Sequence, residues 1–380
     1  MKLVYLNDSA LHITKDGKLG IFAKSMTGLA EYAERWPGEL LVSSLEAPRL
    51  VEETNRSKWE DDPLAAKLTF VPQLDPAGLE QLGTDLVLHS VVGPLSATLL
   101  DRDFRVVFTD DWSPEVRLEV GLVTSKGILD RARIRAGAIR RTRRLDALAA
   151  RADGFQCNGH SAYEHYRGVN SSTHMFFDHR MRAEDIASAR DRDVWSGGRP
   201  LRIAYSGRLT EIKGVTHIAP FVTELERRGI DFEFTIIGGG NLEEELRRSS
   251  SPRVSFAGFM DFETEWKPFA RSQIDLMFLP HVQGDSASTY FEAMGSGVPV
   301  LGFENRTLTP LLAAGGGGWA GPNPDVAAAV DTVARLVADP SELKLQARRA
   351  LEFMETIPFE ETFDGRVRHF VATAGTSPNR

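Results

Sequence analysis

The residue types with the most chemistry to offer fall in two stretches of the second half of the chain. The first runs from Gly284 to Asn305, GDSASTYFEAMGSGVPVLGFEN. It reads as a polar loop, a short helix opening near Ser288, a small-residue elbow at Gly295 to Gly297 and a buried strand, Val298 to Phe303. Glu292 is the one carboxylate of that helix, and a carboxylate there accepts two hydrogen bonds from a ribose diol. The backbone N–H groups at the helix start suit a phosphate, because they are unpaired and carry the positive end of the dipole. The same letters also read as a capping box, Thr289 to Glu292, and the stretch alone does not choose between the two. The second stretch is SGRLTEIKG, Ser206 to Gly214. Gly207 lets the backbone turn sharply after a strand. Arg208 and Lys213 flank the loop, and a helix from Val215 to Arg228 follows directly. Two cations beside a helix start make a diphosphate site that needs no metal. Either cation alone reads as a solvated loop residue.

These stretches need a frame, and the hydrophobic pattern supplies one. Apolar strand runs recur at Lys2 to Leu6, Glu39 to Leu45, Leu68 to Val71, Asp85 to Val92, Arg105 to Thr109 and Ala152 to Asn158. They recur again at Leu201 to Tyr205, Phe232 to Ile237, Val254 to Ala257 and Ile274 to Leu279. Helical or polar stretches separate them, among them Ile21 to Arg35, Asp325 to Ala338, Pro340 to Glu355 and Phe359 to Val371. That alternation predicts an α/β fold of two doubly wound parallel sheets with helices on both faces. Ligands of such sheets bind outside the carboxyl ends of the strands. The polar, glycine-rich DRDVWSGGRP, Asp191 to Pro200, reads as the linker between two domains, 1–195 and 196–358. The carboxyl-terminal helix, 359–380, is expected to pack back on the first.

In the first half, the segments Asn7 to Gly20, Leu88 to Gly93 and Thr109 to Pro114 all follow strands. Asp110, Asp111, Trp112 and His89 are therefore candidates for an acceptor site. For any single one of them the alternative is structural: Asp111 or Ser113 caps the next helix, with Pro114 in its first turn. Two adjacent aspartates without further ligands do not make a metal site, and none is expected. Lys126 to Arg151 is rich in arginine, with Ile128, Leu129, Ile134, Ile139, Leu145 and Leu148 spaced for one helical face. It reads either as a solvated helix or as a surface that docks on anionic lipid.

Composition removes several classes. The formal net charge of −8 argues against a general nucleic-acid binder. Cys157 is the only cysteine, which excludes an internal disulfide and thiolate metal clusters and suits a reducing cytoplasm. No apolar run is long enough to span a bilayer, and MKLVYLND has a strand's shape, not a signal peptide's. The expected location is cytoplasmic, with peripheral contact at the inner face of an anionic membrane only in the second reading of 126–151.

Four motifs occur in order: SGRLTEIKG, the FTIIGGGN strand end, VSFAGFM and FEAMGSGVPVLGF. Together they resemble the donor-binding half of family 4 glycosyltransferases of the GT-B fold, over roughly Leu201 to Asp339. The resemblance implies two Rossmann-like domains facing across a cleft. It implies a retaining transfer of sugar from a nucleoside-diphosphate donor to a hydroxyl acceptor, with no cofactor and no required metal. The acceptor would be a sugar, a lipid-linked glycan or a small molecule, in polysaccharide, glycolipid or natural-product glycoside synthesis. Arg208 and Lys213, with Gly207 between strand and loop, would hold the diphosphate, and Glu292 the ribose. Gly258, Phe259 and Met260 would contact the base. The amides of Ser286, Ala287, Ser288 and Thr289 would meet sugar or phosphate. The family usually carries a second glutamate eight positions before Glu292; here Gly284 stands there, beside Asp285, which is the candidate to reach the sugar instead. Two rival readings remain, a sugar-nucleotide epimerase on the same fold and a catalytically inert nucleotide-sugar-binding subunit.

Overall fold

A computed structural model describes residues 1–51 and 57–375 of the chain. Its internal contacts divide it into two compact units. The first comprises Met1–Pro114, Ala136–Phe176 and the segment from Glu360 onward; the second comprises Glu115–Arg135 and Phe177–Phe359. This division differs from the expected boundary at 195/196. The supposed linker lies inside the second unit. Its Trp195 is buried and donates Nε1 to the Arg199 carbonyl at 2.8 Å. Its Arg192 donates to the carbonyls of Gly297 and Ile274. Polar composition suggested a linker, but these polar groups are spent on internal bonds.

The first unit holds a seven-stranded sheet in the order Thr173–Phe176, Gly154–Asn158, Arg105–Asp110, Leu86–Ser90, Lys2–Asn7, Glu39–Ser44, Leu68–Phe70. Every neighbouring pair is parallel. Its strands read as apolar runs because a parallel sheet is covered on both faces. Val4, Leu6, Val87, Val106, Phe108, Phe155 and Cys157 share one buried cluster. Chain order reverses between Lys2–Asn7 and Leu86–Ser90, the topological switch point of a doubly wound sheet.

Two features of this unit departed from the sequence pattern. Leu19–Phe22 is a strand, so the helix expected from Ile21 begins at Ala23. That strand belongs to a small four-stranded sheet with Arg49–Leu50, His12–Ile13 and Ser57–Trp59. Strands of two to four residues are too short to show a period. The edge strand Thr173–Phe176 was also missed, since its burial is only partial until Phe176.

The strand Thr173–Phe176 and the final helix, Phe359–Gly375, bring His174 and His369 together, rings stacked 5.6 Å apart. His369 donates Nε2–H to the Ser172 carbonyl at 3.0 Å and accepts at Nδ1 from Gln156 at 3.2 Å. Burial first, then His369, Arg366 and Arg368, push His174 down to about 4. An unfolded histidine titrates near about 6.5. Above that value the shift contributes nothing. As pH falls below it, the unfolded state takes up a proton that the folded state refuses, and stability is lost until about pH 4. His174→Phe is therefore expected to flatten the fall in stability between pH 7 and pH 4.5 by about 2 kcal/mol, allowing for partial solvent screening. Urea melts at several pH values measure it; parallel curves for parent and variant would refute it.

The second unit holds a six-stranded sheet, all parallel, in the order Val254–Gly258, Phe232–Ile237, Leu201–Ser206, Leu276–Leu279, Val300–Phe303, Gly318–Gly321. Chain order reverses between Leu201–Ser206 and Leu276–Leu279. The helix expected directly after Lys213 is in fact preceded by two 3-10 turns, Glu211–Lys213 and Val215–His217; the α-helix spans Ile218–Arg227.

Candidate functional site

The switch point of the second sheet determines where a ligand can enter. Two neighbouring strands, Leu201–Ser206 and Leu276–Leu279, run side by side and their onward chains diverge. The loop after the first is Gly207–Gly214, which carries Arg208 and Lys213. The loop after the second is Pro280–Ala287, which leads into the helix Ser288–Gly295. Both expected motifs thus emerge at one end of one sheet.

The two loops touch at Gly214. It is left-handed, φ 64°, and a side-chain carbon added there would collide with the Pro280 carbonyl oxygen. Glycine is needed on both counts. Gln283, buried, ties the loops further: its Nε2 donates to the Ile212 carbonyl at 2.9 Å, and its Oε1 accepts from the Asp285 amide at 2.6 Å. This brings Lys213 and Asp285 into a buried ion pair. Nδ1 of buried His281 lies 3.4 Å from the other Asp285 oxygen, a contact longer than a good hydrogen bond. Burial works to raise the Asp285 pKa, but His281 and Lys213 outweigh it and hold the carboxyl well below the ordinary range. Burial, then Lys213, keeps His281 below its usual value. Arg208 is exposed, and its carbonyl accepts from Tyr205 Oη at 2.8 Å. Tyr205 is raised mainly by burial, then by Asp285, while Arg208 opposes, so both charges act on one phenol.

The helix Ser288–Gly295 bears on one of the two readings of Thr289. Ala287, which has no capping group, occupies the N-cap, and Thr289 is the second helical residue. The capping box is not formed. Glu292 is buried, and its Oε1 accepts from Arg180 Nη2 at 3.2 Å and Nε at 3.3 Å. The Arg180 guanidinium also lies 3.6 Å from the centroid of the Phe262 ring. Arg180 was not foreseen: it is 112 positions from Glu292 and belongs to no motif.

Position 284 has a local reason to be glycine. A side-chain carbon there would lie 2.6 Å from Arg306 Cβ. Arg306 Nε in turn pairs with Glu119 Oε1 at 2.9 Å, and Glu119 Oε2 accepts from the Gly284 amide at 3.3 Å. A carboxylate from the helix Pro114–Val123 therefore bonds to this turn. Asp285, the expected substitute, faces Lys213 instead.

The strand Val254–Gly258 ends in a left-handed Gly258, φ 69°, whose carbonyl accepts from the Gly238 amide at 2.7 Å. Phe259 follows and is 71% exposed, an apolar ring of the kind that stacks on planar ligands. Met260 is half-buried.

The acceptor candidates lie in the first unit, at the carboxyl ends of adjacent strands. Asp110 is buried and accepts from Tyr166 Oη at 2.8 Å and from the Trp112 amide at 3.2 Å. Asp111 accepts from Asn158 Nδ2 at 3.1 Å. His89 is buried, with Nδ1 on the Leu6 carbonyl at 3.0 Å, and its Nε2 lies against Gly93. These bonds show Asp110 and His89 first as groups that fasten strand ends. Asp8, not singled out from sequence, pairs with His89 at 3.4 Å and is half-exposed. Burial raises its pKa, His89 and Ser90 oppose, and Asp110 adds to the rise.

Comparison with known proteins bears on these arrangements. Residues 200–339 match the family model described as glycosyl transferases group 1. The chain is 32% identical over 178 residues to an amylovoran biosynthesis glycosyltransferase of Erwinia amylovora, covering 43% of each chain. It is 27% identical over 164 residues to a 2-deoxystreptamine glucosyltransferase of Streptomyces kanamyceticus, covering 40% of each. The matched part thus spans less than half the length of these relatives. Among solved structures, Anabaena HepE in complex with UDP and glucose superposes with a TM-score of 0.64 at 15% identity, covering 98% of this chain and 99% of that one. The lipopolysaccharide outer core galactosyltransferase WaaB, in its apo form, gives 0.67 at 12% identity with the same coverage.

Proposed function

From a chain of GT-B fold whose residues 200–339 match the model of the glycosyl transferases group 1 family, we propose a retaining glycosyltransferase that moves a sugar from a nucleoside-diphosphate donor to a hydroxyl acceptor. The observation that carries this reading is the pairing of Lys213 with Asp285 at the switch point, with Arg208 in electrostatic reach. An ammonium has three donors, and Asp285 uses one. Two donors remain for a ligand at the loop ends, and a diphosphate is the ligand that two cations and a helix start suit.

In this reading the acceptor oxygen forms a bond to the sugar's anomeric carbon on the face the donor leaves. The bond from that carbon to the β-phosphate oxygen breaks, and its electron pair goes to the diphosphate. The acceptor's proton passes to a phosphate oxygen. Arg208 and Lys213 stabilise the charge that builds on the leaving group, and Lys213 is held beforehand by its pair with Asp285. Glu292 holds the ribose and Phe259 the base. No metal or cofactor is assigned a role. Acceptors of the kinds named for the relatives, in amylovoran biosynthesis or 2-deoxystreptamine itself, are both compatible with this donor half. Gly284 favours a second reading, a nucleotide-sugar-binding subunit without transfer. Labelled donors separate the two: donor cleavage with or without acceptor excludes the inert subunit.

A panel of nucleoside diphosphates in a thermal melt is the direct test, since a ligand of the native state must raise Tm. No shift with any of them would sink the proposal. Glu292→Gln is expected to weaken binding of the preferred diphosphate by about tenfold, the size of a charged hydrogen bond lost. The 2′-deoxy analogue should bind parent and variant alike. Calorimetry with the two nucleotides measures it, and an equal loss for both would remove Glu292 from the ribose.

A further inference from the structure

The helix Ile128–Arg151 was expected to show one apolar face, and it shows two. At about 100° per residue, Ile134, Leu145 and Leu148 fall on one side. Leu145 and Leu148 are buried, and Ile134 lies against Gly121. Ile128, Ala132, Ala136, Leu129 and Ile139 fall on the other, within an arc of about 100°. Ile128 is 86% exposed, Leu129 78% and Ile139 62%. Arg131 and Arg135 border this strip on one flank and Arg133 and Arg140 on the other, with Arg143 inside it. Arg133, Arg135, Arg140, Arg141, Arg143 and Arg144 are exposed, and among the described residues none forms an ion pair with an acidic side chain.

We propose that this strip, from Ile128 to Arg144, docks in plane on an anionic lipid bilayer. Three large apolar side chains kept in water, bordered on both sides by unpaired guanidiniums, have the pattern of an interfacial helix. The apolar residues enter the acyl boundary, and the arginines reach the lipid phosphates. A nucleic-acid backbone would use the arginines and leave the isoleucines without a role, and the chain is net acidic, −8. A second copy in a two-fold contact would set the same arginines against each other. Among the described residues no helix is long and apolar enough to cross a membrane, so the contact lies at the surface. This inference does not depend on sugar transfer.

The test is sedimentation of the full-length chain with vesicles of phosphatidylcholine alone or mixed with phosphatidylglycerol. Binding should require the anionic lipid and weaken with salt. Arg133→Gln, Arg135→Gln, Arg140→Gln and Arg143→Gln together should lower the partition coefficient by about fivefold for each charge removed. Ile128→Ser, Leu129→Ser and Ile139→Ser together should lower it by at least about tenfold, with little change in Tm, because these side chains are mostly exposed. In the unaltered chain, hydrogen exchange over 128–144 should slow when anionic vesicles are added. Equal binding to both vesicle types, or none, would overturn the proposal. So would a serine variant that binds like the parent, since that pattern belongs to a polyanion site without insertion. A parent that dimerises through the strip, with no exchange protection from lipid, would assign the surface to a second copy.

Discussion

Lys213→Ala is expected to lower kcat with the native donor by about 10²-fold or more, the scale of a lost oxyanion donor. It should also lower Tm, and the two effects have different origins. Lys213 and Asp285 are both buried and paired with each other. Removing the cation leaves a desolvated carboxylate beside Tyr205 and Tyr290, each of which already feels Asp285. Breaking a buried pair from one side costs about 3–5 kcal/mol, whereas replacing both partners can be close to neutral. The double variant Lys213→Met with Asp285→Asn should therefore regain most of the lost Tm. It should regain none of the lost rate, because the diphosphate still lacks its cation. Arg208→Ala is the cleaner companion: the side chain is exposed, so the rate should fall with little change in Tm. Single-turnover assays with thermal melts on all four proteins measure this. A double variant that restored the rate along with Tm would show Lys213 to be a structural partner of Asp285 and nothing more.

Sequence exposed one part of this site and hid another for a single physical reason. The two cationic loops were legible because strand runs such as Leu201–Ser206 and Leu276–Leu279 are apolar on both faces, and the loops that follow such strands meet at the switch point. What each charged group binds was not legible. Lys213 and Asp285 are 72 positions apart, and Arg180 and Glu292 are 112. No local periodicity links such pairs; only the folded sheet does. Thr289 and Glu292 illustrate the reverse error, since a local motif was present and the helix began two residues too early to use it. Gly284 looked like a missing carboxylate. Folded, it is the gap that admits Arg306, and Glu119 arrives there from a helix the motif says nothing about. The long arginine helix was placed well by its periodicity, but its two faces were merged into one.

Asp275→Ala is expected to destabilise the second unit by about 3–5 kcal/mol while leaving nucleotide affinity intact. Asp275 is completely buried at the start of the strand Leu276–Leu279, the end away from the loop Pro280–Ala287. Its carboxylate accepts from Arg199 Nη1 at 2.6 Å and Nη2 at 3.0 Å, and from Arg202 Nε at 3.1 Å and Nη2 at 3.0 Å. The Arg202 backbone amide adds a fifth bond at 2.9 Å. Burial works to raise its pKa, but the bonds from Arg199 and Arg202 win and hold it below the ordinary range. A carboxyl so lowered stabilises the fold above the unfolded value, about 3.9, and that contribution is lost as pH falls below it. Alanine removes the acceptor of five donors and leaves two guanidiniums unmatched beside the core strand Leu201–Ser206. For a unit of this size, 3–5 kcal/mol corresponds to about 6–20 °C in Tm. The strand residues between Asp275 and Pro280 separate the change from the phosphate loops by about 16 Å, so the diphosphate Kd of the folded variant should match the parent's. Denaturant melts over a range of pH, set beside calorimetry, distinguish the two quantities. If Asp275→Ala melted with the parent, the five bonds would carry no net stability. If it lost nucleotide binding while still folded, the two ends of the strand would be coupled, and the site could not be treated as a property of its loops alone.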